Sequence, residues 1–277
     1  MASGAQALHS KKMESRGFTV ENPFPALGKL KKMIDVARVR RAIGLGQPNP
    51  PKLISIIIPA HNEEAYLQST LDALKRQDYP LFEVIVVANG CKDRTAEVAR
   101  QHCHQLIVLS QKGLGVARNL GARMAKGELL LFLDADTILE PGSLKGIVES
   151  FSQAHAAGTV QGRPDRERRA YRLIYFVKNS LHRWSLHHGS SGVIICWKDH
   201  FIRVGGFDEG LEMRENSELI RRLKRFGSYK YLGRIAATTS MRRYDQRGCG
   251  RIVWLWFKLW VQSLFMDLHQ RPYETVR

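Results

Sequence analysis

Four apolar runs of strand length alternate along the chain with segments of helical periodicity. The runs cover residues 53–59, 82–88, 105–109 and 129–133, and helical patterns continue to residue 73 and cover 96–102 and 115–125. Because the fourth run has no polar face, it must be covered on both sides, as in a parallel sheet between helices. The pattern predicts an α/β domain with a parallel sheet flanked by helices and built from right-handed strand–helix–strand units.

Two aspartates, Asp134 and Asp136, follow the fourth run directly. If strand geometry persisted, both side chains would point the same way, past the sheet edge where ligands of open α/β folds collect. Neighbouring carboxylates repel unless a cation lies between them, and Mg²⁺ or Mn²⁺ takes oxygen ligands from carboxylates and substrate phosphates. The pattern indicates a metal–diphosphate site. The alternative is a strand-end Asp that caps the next turn, with Pro141 starting a helix.

The 277-residue chain carries a formal charge of +17. Runs of basic residues lie at 29–41, 163–172, 221–225 and 242–251. Such a surface attracts nucleic acid, anionic lipid or phosphorylated substrates, or it is a solvated basic face. No helix-turn-helix, zinc-finger or aromatic RNA-binding signature occurs, so nucleic acid is not an expected partner. The four cysteines lack zinc-ligand spacing and fit a reduced, cytoplasmic chain.

Both termini are predicted to be appendages of the domain. Residues 1–52 should lie outside it, as a polar disordered start, a basic amphipathic helix at 27–43 and a linker. No signal peptide is evident. Residues 252–268 are apolar but short for a membrane span, which needs ~20 residues. Two interpretations stay open for them: a helix lying on an anionic membrane surface, peripheral at its inner face, or a C-terminal helix packed on the core.

Four segments carry a resemblance to a known family. They are SIIIPAHNEE at 55–64, VVANGCKDRT at 86–95, KGLGVARNLGARMAKGELLLFLDADT at 112–137 and CWKDHFIRVGGFDE at 196–209. In this order and spacing they resemble the GT-A-fold glycosyltransferases of family 2. The resemblance implies a Rossmann-like α/β fold with a mixed, mostly parallel sheet flanked by helices. No GxGxxG follows the first run and no GxxxxGK[ST] occurs, which argues against a dinucleotide fold or a phosphate-loop ATPase.

The resemblance implies a transferase that takes a sugar from a UDP- or GDP-sugar, with a divalent metal, Mg²⁺ or Mn²⁺, on the diphosphate. It covers about residues 53–236. We therefore expect a GT-A domain at 53–240, with a nucleotide-binding half at 53–140 and an acceptor half at 141–240. Residues 241–277 would form a basic loop and an amphipathic C-terminal helix. The acceptor stays open among a sugar, a lipid-linked molecule and a small molecule.

The resemblance also implies roles for individual donor-binding residues. The first loop matches at Pro59, Ala60, His61, Asn62 and Glu64, with His61 near the base and Glu64 on the ribose side. The second loop, which reads the base, matches at Asn89 and Asp93, although Ala88-Asn89 stands where an acidic pair is common. An Asn can still offer a donor and an acceptor to a base edge. Lys112 and Arg118 match the segment that meets the nucleotide and its phosphates, where Arg has a fixed fork of donors.

For the acidic pair, the resemblance implies that Asp136 binds the metal and that Asp134, with Ala135, contacts the ribose, the sugar or metal-bound water. The basic element that includes Arg243 would close over the diphosphate, or it would bind anionic lipid together with Arg251 and Trp254. Trp197 would form a stacking wall beside the sugar, or it packs in the core.

The catalytic base is where the sequence departs from the family. Arg214-Glu-Asn-Ser-Glu stands where the family has Glu-Asp-X-Asp, so Asn216 occupies the position of the usual general base. An amide cannot take up a proton at neutral pH, which leaves Glu215 as the nearest candidate. The alternative for Glu215 is a salt bridge to a nearby Arg. An acceptor that needs no base and a retaining mechanism are also open. The sequence therefore predicts an inverting transferase, with a catalytically impaired or retaining sugar-nucleotide binder as the alternative and a nucleic-acid-binding protein as a remote one.

Overall fold

The structure is a computed structural model of the chain, and it describes residues 18–21, 52–186, 188–211, 214–251 and 254. The strands of this part are β1 (Phe18–Glu21), β2 (Ile54–Ala60), β3 (Phe82–Asn89), β4 (Gln105–Leu109), β5 (Leu129–Leu133), β6 (Thr137–Leu139), β7 (His155–Pro164), β8 (Val193–Trp197) and β9 (Ser228–Thr239). The helices are α1 (Glu64–Lys75), α2 (Thr95–Arg100), α3 (Leu114–Met124), α4 (Ser143–Ser150), α5 (Arg169–Arg183), α6 (Lys198–Arg203), α7 (Glu215–Leu223) and α8 (Arg242–Arg247).

All of these strands belong to one mixed sheet, in the order β1-β4-β3-β2-β5-β8-β7-β9-β6. The pairings β4-β3-β2-β5 are parallel, as the four apolar runs predict. The pairs β5-β8, β8-β7 and β9-β6 are antiparallel, while β7 and β9 run parallel. The α/β fold class and the four strand positions are therefore confirmed.

Each face of the sheet carries its own apolar core. On β2, Ile56 and Ile58 belong to one buried cluster together with Leu71 of α1. The intervening Ile57 belongs to a second buried cluster together with Leu120 of α3. Because successive strand residues point to opposite faces, a strand with helices on both sides must be apolar throughout. All seven residues of β2 are buried, as this requires.

The N-terminal segment contributes a strand that the sequence does not predict. Phe18–Glu21 pairs antiparallel with β4, and Arg100 of α2 bonds Glu21 with its Nε 2.6 Å from Oε2. The prediction that residues 1–52 lie outside the fold is therefore wrong for these four residues. Four residues carry too short a pattern to indicate a strand, and the partner strand lies far along the chain.

The predicted basic loop at the start of the C-terminal segment is helical in part, because Arg242–Arg247 form α8. The other predictions for the termini fall on residues that the structure does not describe. These are the basic helix at 27–43 and most of the apolar stretch at 252–268. Within the described ranges, none of the helices has the length and apolar character needed to cross a bilayer.

Candidate functional site

Three neighbouring strands end at the same edge of the sheet. β3, β2 and β5 are parallel neighbours and end at Asn89, Ala60 and Leu133. Since the carboxyl ends of parallel strands meet at one edge, the loops that follow them come together there. The chain therefore places the predicted first loop, second loop and aspartate pair around one site.

Hydrogen bonds connect the first two loops. The His61 Nδ1 lies 2.5 Å from the Asn89 carbonyl oxygen, and the Lys92 amide donates to the Asn62 side-chain oxygen at 2.8 Å. The buried Asn89 side-chain oxygen accepts from the Gly113 amide at 2.8 Å, just before α3. Asn89, for which we predict base reading, thus also fixes the segment that carries Lys112. Its contact with a base stays a prediction.

An acidic side chain of each loop accepts a hydrogen bond from a backbone amide of the other loop. Asp93 accepts from the Thr95 amide at 3.0 Å and from the Glu64 amide at 3.2 Å, and Glu64 accepts from the Arg94 amide at 2.9 Å. Burial on its own would raise the pKa of Asp93, but these bonds and the Thr95 hydroxyl hold the pKa below its usual range. Asp93 stays ionised and joins the second loop to the start of α1.

The chain turns at the aspartate pair instead of continuing as a strand. The Asp134 amide donates to the Gly192 carbonyl at 2.9 Å, and the Asp134 carbonyl accepts from the Thr137 amide at 3.0 Å. The Thr70 hydroxyl holds the Ala135 carbonyl at 2.8 Å. The premise of continued strand geometry is wrong, because the tight turn leads into β6 and its pairing with β9.

Arg118 joins three residues that the sequence separates widely. From α3, its Nη1 donates to Glu215 Oε1 at 2.9 Å and to Asn216 Oδ1 at 3.0 Å, and its Nη2 lies 3.2 Å from Asp134 Oδ1. The Arg118 side chain is 4% exposed, and its guanidinium carbon lies 5.0 Å from the centre of the Phe207 ring. Arg118, which we predict to contact the phosphates, therefore also binds Glu215 and Asn216, the two residues at the position of the general base.

Asn216 uses both ends of its amide. Besides accepting from Arg118, it donates from Nδ2 to the Ser190 hydroxyl at 2.9 Å. Since α7 begins at Glu215, the two residues stand side by side at the start of that helix. Asn216 is suited to orienting neighbours, and it offers no carboxylate to a proton.

A second arginine, Arg242, holds Asp136. Its Nη2 lies 2.5 Å from Glu63 Oε1 and 3.2 Å from Asp136 Oδ2, and its guanidinium carbon lies 4.3 Å from the centre of the Tyr66 ring. Arg243, the residue that the sequence singles out, is exposed and acts on Asp136 through its charge. Arg242 makes the contact with the acidic pair.

Burial and Asp134 together raise the pKa of Asp136 to about 6. Burial is the larger cause, the negative charge of Asp134 adds to it, and Arg242 and Arg243 oppose it. The two carboxylates therefore repel each other across the turn, as the spacing predicts. An additional cation at this edge would relieve that repulsion.

The chemistry of the donor set fits a hard divalent cation shared with a diphosphate. Within the described ranges, no three His, Cys, Asp or Glu side chains are grouped as a metal site. Carboxylate oxygens are present at Asp134 and Asp136, and Oε2 of the buried Glu63 has no hydrogen-bond partner in the described part of the chain. Mg²⁺ and Mn²⁺ accept one or two carboxylates when phosphates and water complete their coordination.

Sequence reasoning misses three residues near this edge: Glu63, Tyr175 and Lys178. Burial raises the pKa of the Tyr175 hydroxyl to about 12, with Asp136 and Asp134 contributing. Burial lowers the pKa of Lys178 to about 8 while Asp134 opposes that shift, and its Nζ lies 5.0 Å from the centre of the Tyr175 ring. Glu63 lies within the first-loop segment 55–64, although the resemblance implies no role for it. Helix α5 carries none of the four segments, so the sequence gives no signal for Tyr175 and Lys178. Trp197 is buried and donates to the His155 carbonyl at 3.0 Å, so it packs in the core.

Comparison with known proteins identifies the family. Residues 55–207, more than half of the chain, match the model described as Glycosyl transferase family 2. This chain belongs to glycosyl transferase family 2.

Two curated relatives illustrate how far the similarity of this family 2 chain extends. Over 91 residues it is 42% identical to glycosyltransferase AglE of Haloferax volcanii, covering 30% of each chain. Over 110 residues it is 30% identical to poly(ribitol-phosphate) beta-N-acetylglucosaminyltransferase TarS of Staphylococcus aureus, covering 37% of this chain and 19% of TarS. The match thus spans at most about a third of either relative.

Solved structures share the fold of the family 2 chain. TarS residues 1–349 in complex with UDP-GlcNAc align with a TM-score of 0.54 at 21% identity, covering 68% of this chain and 58% of that one. The mannosyltransferase PcManGT of Pyrobaculum calidifontis, in complex with GDP-Man and Mn²⁺, aligns with a TM-score of 0.55 at 16% identity, covering 74% and 63%. The GT-A fold is thereby confirmed.

Replacing Arg118 with Gln should destabilise the fold strongly. Removing the guanidinium breaks the buried ion pair and leaves the Glu215 carboxylate without a positive partner. The expected cost is about 3 kcal/mol in the free energy of unfolding. Urea unfolding measures this loss. Arg221→Gln is the matched control, because the Arg221 side chain is 71% exposed in its pair with Glu218 and should cost less than about 0.5 kcal/mol. Equal losses in the two variants would contradict the role of Arg118.

Without added divalent cation, the stability contributed by Asp136 should fall between about pH 4 and pH 6. The folded-state pKa is about 6 and the ordinary value is 3.8, so in that range the folded state keeps a proton that the unfolded state has released. Asp136→Asn should therefore gain stability relative to the wild type as the pH rises through this window, in chemical unfolding at several pH values. Asp199→Asn, whose side chain is 76% exposed, should follow the wild type. A constant difference between Asp136→Asn and wild type would refute the raised pKa.

Proposed function

We propose that this family 2 protein transfers a sugar from a nucleotide-diphosphate donor to an acceptor. The observation that carries the proposal is the placement of Asp134 and Asp136 between Arg118 and Arg242, at the edge where three loops meet. Oxygen ligands for a cation and fixed guanidinium groups thus stand together, which is what a diphosphate requires. The names of the relatives support it, since the TarS and PcManGT structures hold UDP-GlcNAc and GDP-Man.

The nucleotide would lie on the first two loops. Pro59, Ala60 and His61 would face the base, and Asn62 and Glu64 the ribose side, with Asn89 and Asp93 completing base recognition. The hydrogen bonds that connect these loops support a preformed site, because they fix the backbone before a ligand arrives. Lys112 and Arg118 would meet the nucleotide and its phosphates.

A divalent cation, Mg²⁺ or Mn²⁺, would be held by Asp136, with Asp134 and Ala135 beside the sugar. When bound, it supplies charge neutralisation to the departing nucleoside diphosphate. Arg242 and the exposed Arg243 would add positive charge on the same side. Glu63 shares Arg242 with Asp136 and is suited to keeping that guanidinium in place when the donor binds.

For catalysis we propose inversion with Glu215 as the base. Its carboxylate lies at the start of α7, 2.9 Å from Arg118, and its side chain is only 12% exposed. Arg118 would orient Glu215, and Asn216 accepts from the same Arg118 nitrogen, Nη1. The acceptor class is a sugar, a lipid-linked molecule or a small molecule, and nucleic acid is not proposed.

A second candidate function is donor binding without inverting transfer, either as an impaired enzyme or as a retaining one. The observation that favours it is the Asn216 amide, which is hydrogen-bonded at both ends and has no acidic group to offer. The two candidates make the same prediction for donor binding and differ in turnover.

The test is a thermal-shift series with UDP, GDP and their sugars, with and without Mn²⁺. We expect one nucleotide series to raise the midpoint of unfolding only when Mn²⁺ is present, by several degrees at saturating ligand. Asp136→Asn should lose this metal-dependent shift, because it loses a cation ligand. Asp199→Asn, exposed and remote in sequence, should keep it. A metal-dependent shift that survives in Asp136→Asn would contradict the metal assignment.

Turnover then separates the two candidates. If the wild type slowly hydrolyses the bound donor sugar and Glu215→Gln does not, the inverting transferase is supported. Donor binding with neither hydrolysis nor transfer would favour the binding protein, and a product of retained configuration would exclude inversion.

A further inference from the structure

Helix α5 and the turn after it expose an unusual number of large apolar side chains. Nine large hydrophobic residues are exposed in the described part of the chain, and five of them fall within the 14 residues from 173 to 186. Their exposed fractions are 62% for Leu173, 69% for Phe176, 47% for Val177, 68% for Trp184 and 67% for Leu186. An exposed apolar cluster of this density marks a binding surface. We call these five residues the outer face.

The outer face lies opposite the side of α5 that packs on the protein. Tyr171, Tyr175 and His182 are the buried residues of α5, and the two tyrosines form a cluster with Met241 and Tyr244. At 100° per residue, Leu173, Phe176, Val177 and Trp184 fall on the other side of the helix. The helix therefore has one apolar stripe that the fold uses and a second that the described residues leave open.

A row of arginines runs beside the outer face. Arg169, Arg172 and Arg183 are exposed. At helical spacing Arg172 and Arg183 fall along one border of the apolar stripe, and Arg169 lies just inside that border, next to Phe176. No Asp or Glu occurs between residues 168 and 198. The more N-terminal Arg166 and Arg168 pair with Asp245, whereas no ion pair of these three arginines occurs within the described ranges. The border of the stripe thus carries positive charge without a neighbouring acid.

We propose that the outer face of α5 binds an anionic lipid bilayer, with the helix lying in the plane of the interface. Aliphatic and aromatic side chains on one face with arginines beside them are the composition of interfacial helices, in which Trp sits at headgroup level and cations meet anionic lipid. A second copy of the chain fits less well, because a symmetric contact with the two α5 helices antiparallel would bring two rows of arginines together.

Docking in this orientation would place the candidate site beside the membrane. The buried side of α5 carries Tyr175, which packs on Gly162 of β7. Strand β9 lies beside β7 and pairs its Thr239 with Thr137, the residue after Asp136. A lipid-linked acceptor could then reach the site without leaving the bilayer. This consequence rests on the proposed function, whereas the docking itself does not.

The test is co-sedimentation of the full-length protein with phosphatidylcholine vesicles that contain or lack phosphatidylglycerol. The wild type should sediment with the anionic vesicles and less with neutral ones. Phe176→Glu should lower the bound fraction at least about fivefold, because it places a charge where apolar contact forms. Ile202→Glu is the matched control: Ile202 is 62% exposed on α6, and the charge change is the same. It should stay within about twofold of wild type.

A charge-matched pair tests the arginines separately. Arg169→Gln/Arg172→Gln/Arg183→Gln should lose binding and salt sensitivity, whereas Arg76→Gln/Arg123→Gln/Arg225→Gln, also three exposed arginines, should retain both. Unfolding midpoints near wild type verify that the variants fold, and Trp184→Glu repeats the apolar test at an independent position.

Three outcomes would overturn the proposal. The first is wild-type protein that does not sediment with anionic vesicles. The second is Phe176→Glu and Trp184→Glu variants that bind as wild type does, which would assign the contact to another part of the chain. The third is a wild-type dimer that both variants convert to monomer, which would assign the outer face to a second copy. Donor binding measured on the same variants should be unchanged. Loss of vesicle binding and loss of donor binding are therefore separate results, and the membrane proposal can fail while the proposed function stands.

Discussion

The candidate site depends on one buried positive charge, the guanidinium of Arg118. The Arg118 guanidinium, 4% exposed, contacts a carboxylate at the end of β5 and two side chains at the start of α7, 16, 97 and 98 residues away along the chain. Burying a charge is costly unless it is paired and hydrogen-bonded. Three polar partners bind the two terminal nitrogens of Arg118, although its Nε has no hydrogen-bond partner among the described residues. These contacts connect the end of β5 with the start of α7. Stability of the fold and geometry of the site are therefore set by the same side chain.

A second arginine gives Asp136 a different environment from Asp134. Arg242 holds Asp136 and Glu63, so the two aspartates of the turn face different cations, and only Asp136 is deeply buried. The raised pKa of Asp136 means that the existing positive charge does not fully compensate its burial. A carboxylate in that condition gains from a further cation, which supports the proposal that Asp136 binds the metal. Asp134, 40% exposed, is better placed to meet a ligand from solvent.

The sequence predicts the parallel half of the fold well, because burial between two helical layers leaves a local pattern that can be read. β2 to β5 and the loops after them follow from apolar runs and motif spacing. The turn at Ala135, the choice of Arg242 over Arg243 and the strand Phe18–Glu21 do not follow, since each is decided by a partner far away in the chain. The outer face of α5 is hidden in the sequence for another reason: two apolar stripes on one helix look like an ordinary buried helix until the packing is known.

The central claim is that a cation at Asp136 holds the donor's diphosphate at the edge where β2, β3 and β5 end. Crystals of the wild-type protein grown with Mn²⁺ and the nucleoside diphosphate it binds, measured at the manganese absorption edge, test this directly. The account predicts an anomalous peak within coordination distance of an Asp136 carboxylate oxygen, with phosphate oxygens on its other side. A diphosphate bound away from this edge, or bound here with Asp136 still paired to Arg242 and no anomalous peak, would contradict it.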